Sequence, residues 1–221
     1  MPTQDFKEIA GVSKFIVITV AIQMAMSAVR VLVLGAGTFL PAPDSSPEHV
    51  AGSESSIHFG LVDMISGPLS LLLMIAIAWQ VCDWMIRIYL NLERAQVPGL
   101  KYTARNCALN WFMPFDCFFK PLQAAKEMYA ASEHREGGSP NSPADKAPLV
   151  FGVWWISWVA CCVIGNFSWW VFYNNQKWHL GMALGALSSI AAVVAGIAFV
   201  RIVKEITARH ESFLNELRSD D

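Results

Sequence analysis

The sequence predicts an all-α membrane protein with four transmembrane helices and a cytoplasmic re-entrant or amphipathic helix between the second and third spans. Of its 221 residues, 54% are hydrophobic and only 15% are charged, whereas soluble domains carry about 25% charged residues. The apolar residues are concentrated in four blocks, each long enough for the roughly 20-residue helix that crosses a bilayer. A fifth apolar stretch, too short to cross, separates the second and third blocks.

The four predicted spans cover residues 15–36, 61–90, 150–173 and 180–204. The first is interpreted as a retained span and not as a signal peptide, because Arg30 interrupts its apolar run and no small-residue cleavage site follows. The third contains tryptophan pairs near both ends, about 22 Å apart along a helix, which matches two interfacial belts. The fourth is rich in Gly and Ala, which favours close helix packing.

The distribution of Lys and Arg predicts how the spans are oriented. The connection 35–60 contains no Lys or Arg, whereas the connection 91–149 contains seven basic residues. Short connections rich in Lys and Arg remain on the cytoplasmic side of a membrane. We therefore predict that the N-terminal tail (1–14), the central connection and the C-terminal tail (205–221) are all cytoplasmic.

The central connection contains the apolar stretch NWFMPFDCFFKP at residues 110–121. Because both ends of the connection lie on one side, this stretch cannot cross, and its length is typical of an interfacial or re-entrant element. Pro114 predicts a bent entry, and Pro121 favours the start of an amphipathic helix. We predict an interfacial segment over 104–133 that dips into the cytoplasmic side of the bundle, followed by a flexible linker over 133–147.

Two charged residues of the predicted spans point to a possible ion pair in the outer half of the membrane. Arg30 in the first span and Asp63 in the second fall at similar depths, and a charge at the centre of a span costs about 2.5–3.5 kcal/mol on insertion scales. We predict that the two side chains pair. The alternative is that Asp63 lies at the headgroups and Arg30 extends outward to the membrane surface.

A second polar group is predicted at the cytoplasmic ends of the spans. Asp83 and Arg87 are four residues apart on one helix, a spacing that favours contact, and Arg87 is also expected within reach of Asp116. The cluster would further include the amides Gln80, Asn91 and Asn110. It is interpreted either as a site for a ligand, a lipid headgroup or a partner, or as a structural cluster that pins the bent segment.

The sequence contains none of the motifs that would indicate catalysis or a cofactor. HExxH, GxSxG and P-loop patterns are missing, and no Ser/His/Asp set is recognisable. All five histidines fall outside the predicted spans, which argues against a four-helix haem protein. We therefore predict no catalytic residues, no cofactor and no metal ion. The net charge of −2 gives no basic field for nucleic acid.

The order of motifs from Leu73 to Val203 resembles that of a bacterial membrane family, domain of unknown function 4328. The residues that carry the resemblance are Trp84, Arg87, Asn91, Leu92, Trp111, Pro114, Pro121, Ser132, Trp154 and Trp155. Asp116 departs from it, since the family tends to have a neutral amide near this position. The family has no established activity, so the resemblance implies the architecture and a bacterial inner-membrane location.

These observations predict a non-catalytic multi-pass membrane protein that acts as a scaffold or accessory subunit. Its expected partners are membrane lipids and one or more proteins within the membrane. The alternative is a small transporter, channel or lipid-binding protein that uses the membrane-embedded charges. A third hypothesis is a membrane enzyme that uses the cytoplasmic polar cluster with Asp83 and Asp116.

Overall fold

The protein is helical throughout the part of the chain that the structure describes. The computed structural model describes residues 6–39, 54–113, 115–132, 148–174 and 177–219, without the side chains of 37, 54–66 and 172–174. The four long helices are α1 (Ala10–Gly37), α2 (Glu54–Arg94), α5 (Leu149–Asn174) and α6 (Trp178–Ser219). Between α2 and α5 lie α3 (Ala104–Leu109), a 3-10 turn (Asp116–Phe118) and α4 (Lys120–Ala131).

The four long helices confirm the prediction of four membrane spans. The candidate spans are Ala10–Ala36, Gly67–Arg94, Leu149–Val171 and Trp178–Ser219, with mean hydropathies between 1.7 and 2.2. Many of their large apolar side chains face outward, such as Leu72, Trp79 and Ile156, which are 65%, 77% and 70% exposed. Lipid is as apolar as these side chains. The chain is therefore a multi-pass membrane protein.

Two of the long helices extend well beyond the thickness of a membrane. Helices α2 and α6 have 41 and 42 residues, or about 60 Å at the helical rise, whereas the hydrocarbon core is about 30 Å thick. Helix α6 continues through the predicted C-terminal tail to Ser219. Its buried residues keep a spacing of three or four positions, at Ile202, Ile206, His210 and Phe213, because one face of the helix remains packed.

The chain divides into two compact units. Unit 1 contains Met1–Thr19, Ile77–Trp155 and Ile197–Asp221, and unit 2 contains Val20–Ala76 and Ile156–Gly196. Each long helix contributes one stretch to each unit. Helices α3 and α4 belong to unit 1, together with the polar residues predicted near the cytoplasmic ends of the spans.

In unit 2, glycines allow α6 to approach α1 closely, as the composition of the fourth span predicts. A Cβ atom on Gly185 would lie 2.9 Å from Leu34 Cδ1, and one on Gly196 would lie 2.5 Å from Met24 Cγ. Both distances are shorter than a carbon–carbon contact at optimal separation, about 3.5–4.0 Å. A larger residue at either position would therefore displace an α1 side chain.

Helices α5 and α6 are joined in unit 2 by serine hydroxyl groups. Ser188 Oγ donates to the Cys161 carbonyl at 3.0 Å, and Ser168 Oγ donates to the Gly181 carbonyl at 2.7 Å. Such hydrogen bonds between spans contribute on the order of 0.6 kcal/mol each. Serine hydrogen bonds thus stabilise the contact between α5 and α6 in unit 2.

In unit 1, aromatic rings pack the central connection against α5 and α6. The Trp154 ring stacks on Phe199 with centroids 5.1 Å apart, and Trp111 lies 6.4 Å from Trp154. Tyr129 of α4 contacts Phe151 of α5 edge-on at 5.5 Å. The connection is thus part of the hydrophobic core of unit 1.

Local sequence signals explain where α3 and α4 begin. Thr103 is the N-cap of α3 and accepts a hydrogen bond from the Asn106 amide at 3.3 Å, the usual role of a threonine there. Glu93 accepts the Ala104 amide at 2.9 Å. Pro121 lies in the first turn of α4, where its missing N–H costs nothing. Both helices fall inside the predicted interfacial segment 104–133.

Candidate functional site

The polar residues predicted at the cytoplasmic ends of the spans lie in unit 1, where two of them form a pair. Arg87 Nε donates to Asp83 Oδ2 at 2.9 Å within α2. Arg87 Nη1 also donates to the backbone carbonyl of Glu8 at 3.1 Å. The guanidinium therefore links α2 to the segment that precedes α1, a contact that the sequence did not indicate.

Asn91 holds the same N-terminal segment through two further hydrogen bonds. It is fully buried. Its Oδ1 accepts the Lys7 amide at 2.8 Å, and its Nδ2 donates to the Lys7 carbonyl at 2.9 Å. The side-chain amide thus pairs with both backbone groups of one residue, as a neighbouring strand would. This fixes the orientation of the Asn91 amide.

His210 completes this network and was missed by sequence reasoning, because a single histidine beyond the last span carries no motif. Its ring is fully buried, with Nε2 3.3 Å from Asn91 Nδ2 and Nδ1 3.3 Å from Ser132 Oγ. Since Asn91 Nδ2 carries only donors, Nε2 must accept. His210 is therefore neutral, with its proton on Nδ1 directed at Ser132.

The pKa of His210 agrees with this neutral state. From Trp178, the α6 axis covers about 48 Å by position 210, more than the hydrocarbon thickness of about 30 Å, so His210 lies outside the membrane-spanning part of α6. Burial lowers its pKa to about 4. Its contacts are Asn91, Ser132 and the Phe213 ring, none of which is charged. Protonation would place a second donor against Asn91 Nδ2.

Asp116 pairs with Lys120 and not with Arg87, which corrects the prediction of one continuous cluster. Lys120 Nζ lies 2.5 Å from Asp116 Oδ2 across one helical turn, while Arg87 contacts Asp83 and Glu8. The spacing of four residues between Asp116 and Lys120 provides a local cation. The predicted cluster is therefore divided into separate pairs.

Helix α4 is tied to α2 and to the turn after it by Glu127. The Tyr89 hydroxyl donates to Glu127 Oε2 at 3.0 Å, and the Lys101 amide donates to Glu127 Oε1. Close by, the Tyr102 hydroxyl donates to Gln123 at 2.7 Å. Partial burial, followed by the Glu127 charge, raises the pKa of Tyr102. The Tyr102 phenol therefore remains a hydrogen-bond donor.

Helix α4 is also tied to α6. The Tyr129 hydroxyl donates to Glu205 Oε1 at 3.0 Å, and Arg209 Nη2 lies 3.5 Å from the same oxygen. The Arg209 guanidinium carbon lies 3.9 Å from the centre of the Tyr129 ring, a cation–π geometry. Within the core nearby, Trp84 Nε1 donates to Thr207 Oγ1 at 3.1 Å. These contacts fix α4 across the ends of two spans.

Of the predicted Arg30–Asp63 pair, the structure describes the side chain of Arg30 only. Arg30 is a half-buried residue of α1 in unit 2. Asp63 belongs to α2, but its side chain lies outside the described residues, so the pair stays a prediction. Pro114, the predicted bend, also lies outside them.

A shallow depression in unit 1 faces outward between α1 and α2. Its volume is about 220 Å³, and it is lined by Val12, Phe15, Trp79, Gln80 and Asp83. Gln80, a predicted member of the polar cluster, accepts a hydrogen bond from Thr19 Oγ1 at 3.1 Å. The depression thus combines apolar walls with one carboxylate.

The polar side chains of unit 1 described above bind one another or the backbone, and they hold the N-terminal segment and α4 on α2 and α6. Burial raises the pKa of the Cys107 thiol in α3 to about 12, which keeps it protonated and a poor nucleophile. Among the described residues, no three His, Cys, Asp or Glu side chains are grouped closely enough to hold a metal ion.

Comparison with known families finds a match to the region that holds Arg87, Asn91, Glu127 and Tyr129, while Lys7, Glu8 and His210 lie outside it. The model of the family described as "Domain of unknown function (DUF4328)" matches residues 58–208, which is more than half of the chain. Comparisons with curated proteins and with solved structures found no match. The matched region includes α2 from residue 58 onward, the whole connection, α5, and α6 up to residue 208. The chain, with its four apolar helices, is therefore a member of the DUF4328 family.

Proposed function

We propose that this protein is a non-catalytic, multi-pass protein of the bacterial inner membrane that acts as a scaffold or accessory subunit through protein or lipid partners. Its N- and C-termini and the α2–α5 connection are cytoplasmic. The described parts of this connection, residues 95–113 and 115–132, form a structured platform at the membrane surface. The observation that carries the proposal is that the polar residues of unit 1 are used to fix this platform.

The platform has two attachments to the long helices. Glu127 joins α4 to Tyr89 of α2, and Tyr129 joins α4 to Glu205 of α6. Next to them, Asn91 and Arg87 of α2 hold the segment before α1. A hydrogen bond to a charged group contributes about 1.5–3 kcal/mol when it is buried. A platform attached in this way presents a fixed surface, which a binding role requires and a flexible connection would not provide.

The exposed face of α5 is a suitable surface for a partner within the membrane. Ile156, Val163 and Phe167 are 70%, 62% and 50% exposed, and their spacing of seven and four residues places them on one face. An apolar face of this kind packs equally well against lipid or against another helix. We therefore assign the partner helix to this face.

The orientation rests on the charges of the connections. Seven Lys or Arg residues lie between 91 and 149, and none lies between 35 and 60. In the described part of the connection, Lys101 and Arg105 are exposed. The positive-inside rule therefore assigns the platform and both termini to the cytoplasm.

The test is purification of the tagged full-length protein in a mild detergent, followed by native mass spectrometry. We expect a second protein bound at fixed stoichiometry and lost in Val163→Trp, which enlarges the exposed face of α5. Leu72→Trp is the matched control, since Leu72 is similarly exposed on α2. A protein that purifies alone, with the same bound lipids in both variants, would contradict the scaffold role.

A second candidate function, binding or transfer of a lipid, is favoured by the depression beside Trp79. Its apolar walls suit an acyl chain, and Asp83 suits a cationic headgroup. Asp83→Asn would then reduce the amount of a bound lipid with an amine headgroup, measured in the same mass spectra. Unchanged lipid retention in this variant excludes this candidate.

A further inference from the structure

The connection between α2 and α5 carries a group of large apolar side chains that the fold does not cover. The group, here called the aromatic patch, consists of Leu109, Phe112, Met113, Phe115, Phe118 and Phe119, which are 41%, 71%, 49%, 84%, 45% and 66% exposed. These six residues all lie between positions 109 and 119, outside the four spans. A contiguous exposed patch of this kind marks an interaction surface.

Helix α4, which follows the patch in the chain, buries most of its apolar side chains. The high exposure is therefore confined to the patch and is not a property of the whole connection. Helix α4 buries Pro121, Ala124, Ala125, Met128 and Tyr129 inside unit 1. Leaving a Phe side chain in water forfeits the free energy that its burial would provide. The patch therefore needs an apolar cover that the described residues do not supply.

Two hydrogen bonds fix the position of the patch along α2 and α5. Trp155 Nε1 donates to the Phe118 carbonyl at 3.0 Å, and Trp111 Nε1 lies 3.3 Å from Met85 Sδ. Met85 is nine residues before the end of α2, and Trp155 is six residues after the start of α5. These offsets correspond to about 13 Å and 9 Å along the helix axes. The patch is thus held beside the spanning helices and not beyond their ends.

The charges around the patch suit a lipid surface. Asp116, its only acidic residue, is neutralised by Lys120 at 2.5 Å. Lys101 and Arg105 precede the patch and are exposed. A basic residue near a membrane surface is attracted to anionic lipid headgroups.

We infer that the aromatic patch is inserted into the lipid leaflet and that phospholipid acyl chains are its cover. Its phenylalanines point outward to lipid. The sequence had instead suggested that this segment dips into the helix bundle. The arrangement is that of a monotopic element attached to a multi-pass protein, with apolar side chains below the headgroups and basic residues among them. This inference rests on the membrane-surface platform of the proposed function and names its lipid partner.

Photo-crosslinking from the patch in native membranes tests this inference. The benzophenone amino acid p-benzoylphenylalanine replaces Phe112, Phe115 or Phe119 in the full-length protein, three positions whose exposure keeps the change away from the core. Trp79, exposed on a spanning helix, serves as the lipid-facing control, and Glu216, exposed near the end of α6, serves as the water-facing control. After irradiation, adducts are identified by intact-protein mass spectrometry.

We expect phospholipid adducts at the three patch positions, at a yield within about threefold of that at Trp79 and at least tenfold above that at Glu216. A protein adduct at Phe115 as the main product, or a yield equal to that at Glu216, would overturn the inference. The readout does not depend on which side of the membrane the patch occupies. Lipid adducts in a protein whose termini prove to be external would therefore refute the proposed orientation and leave this inference intact.

Discussion

Replacement of Asn91 by alanine is the substitution that tests the network of unit 1 most strongly. Asn91→Ala removes two hydrogen bonds to the Lys7 backbone, at 2.8 and 2.9 Å, and one to His210 Nε2 at 3.3 Å. The Lys7 groups are near solvent and are hydrated again, at a loss of about 1 kcal/mol. His210 Nε2 stays buried without its donor, at about 1–3 kcal/mol. The expected destabilisation is therefore about 2–4 kcal/mol.

Two measurements on the purified protein in detergent and lipid read out this change. Chemical or thermal unfolding gives the loss of stability, and amide hydrogen exchange gives a local signal, because the Lys7 amide loses its acceptor. The control is Asn106→Ala on the exposed surface of α3, which is expected to change stability by less than about 0.5 kcal/mol. Equal stability of the two variants, with unchanged exchange at Lys7, would refute the role given to Asn91.

Three further predictions concern other parts of the molecule. Burial lowers the pKa of His210 to about 4 in the folded state, from about 6.5 in the unfolded state. The folded state therefore binds fewer protons between these pH values, and the free energy of unfolding should fall by about 3 kcal/mol as pH decreases from 6.5 to 4. His210→Gln should remove this part of the slope in unfolding curves, and an unaltered slope contradicts the assignment. Gly196→Leu should lower the thermal midpoint of unfolding, because even a Cβ atom at this position would lie 2.5 Å from an α1 side chain. Gly152→Leu is the control and should leave the midpoint unchanged, since nothing lies within 4 Å of a Cβ atom there. Equal effects of the two substitutions would argue against close packing at Gly196. Tyr129→Phe should destabilise the protein by about 1.5–3 kcal/mol, because it removes a hydrogen bond to the Glu205 carboxylate. Tyr102→Phe, which removes a hydrogen bond to the neutral Gln123, should cost about 0.5–1.5 kcal/mol. A larger loss in Tyr102→Phe than in Tyr129→Phe would contradict the network.

The architecture was predictable because the signals that set it are local in the sequence. Blocks of apolar residues predicted the four spans, and all four are long helices. The glycines of the fourth span predicted close packing, which Gly185 and Gly196 show. The i,i+4 spacing of Asp83 and Arg87 predicted their contact. In each case, the deciding interaction lies within one helix or follows from its composition.

The contacts that assemble the candidate site were not predictable because their partners are distant in the sequence. His210 lies 119 residues from Asn91, and nothing in its neighbourhood indicates that its ring is buried. Asn91 binds the backbone of Lys7, 84 residues away, and a backbone partner leaves no mark in side-chain patterns. Asp116 was assigned to Arg87 from proximity to the spans, although a lysine one turn away provides a closer cation.

The predicted topology is tested most directly by measuring which side of the membrane each connection faces. Single cysteines at Ser53, Ser139, Asn175 and Ser219 are added to the native sequence, and a membrane-impermeant maleimide is applied to spheroplasts before and after permeabilisation. The account predicts labelling of Ser53→Cys and Asn175→Cys in sealed spheroplasts, above the wild-type background. Ser139→Cys and Ser219→Cys should be labelled only after permeabilisation. Labelling of Ser139→Cys in sealed spheroplasts would contradict four crossings with a cytoplasmic platform.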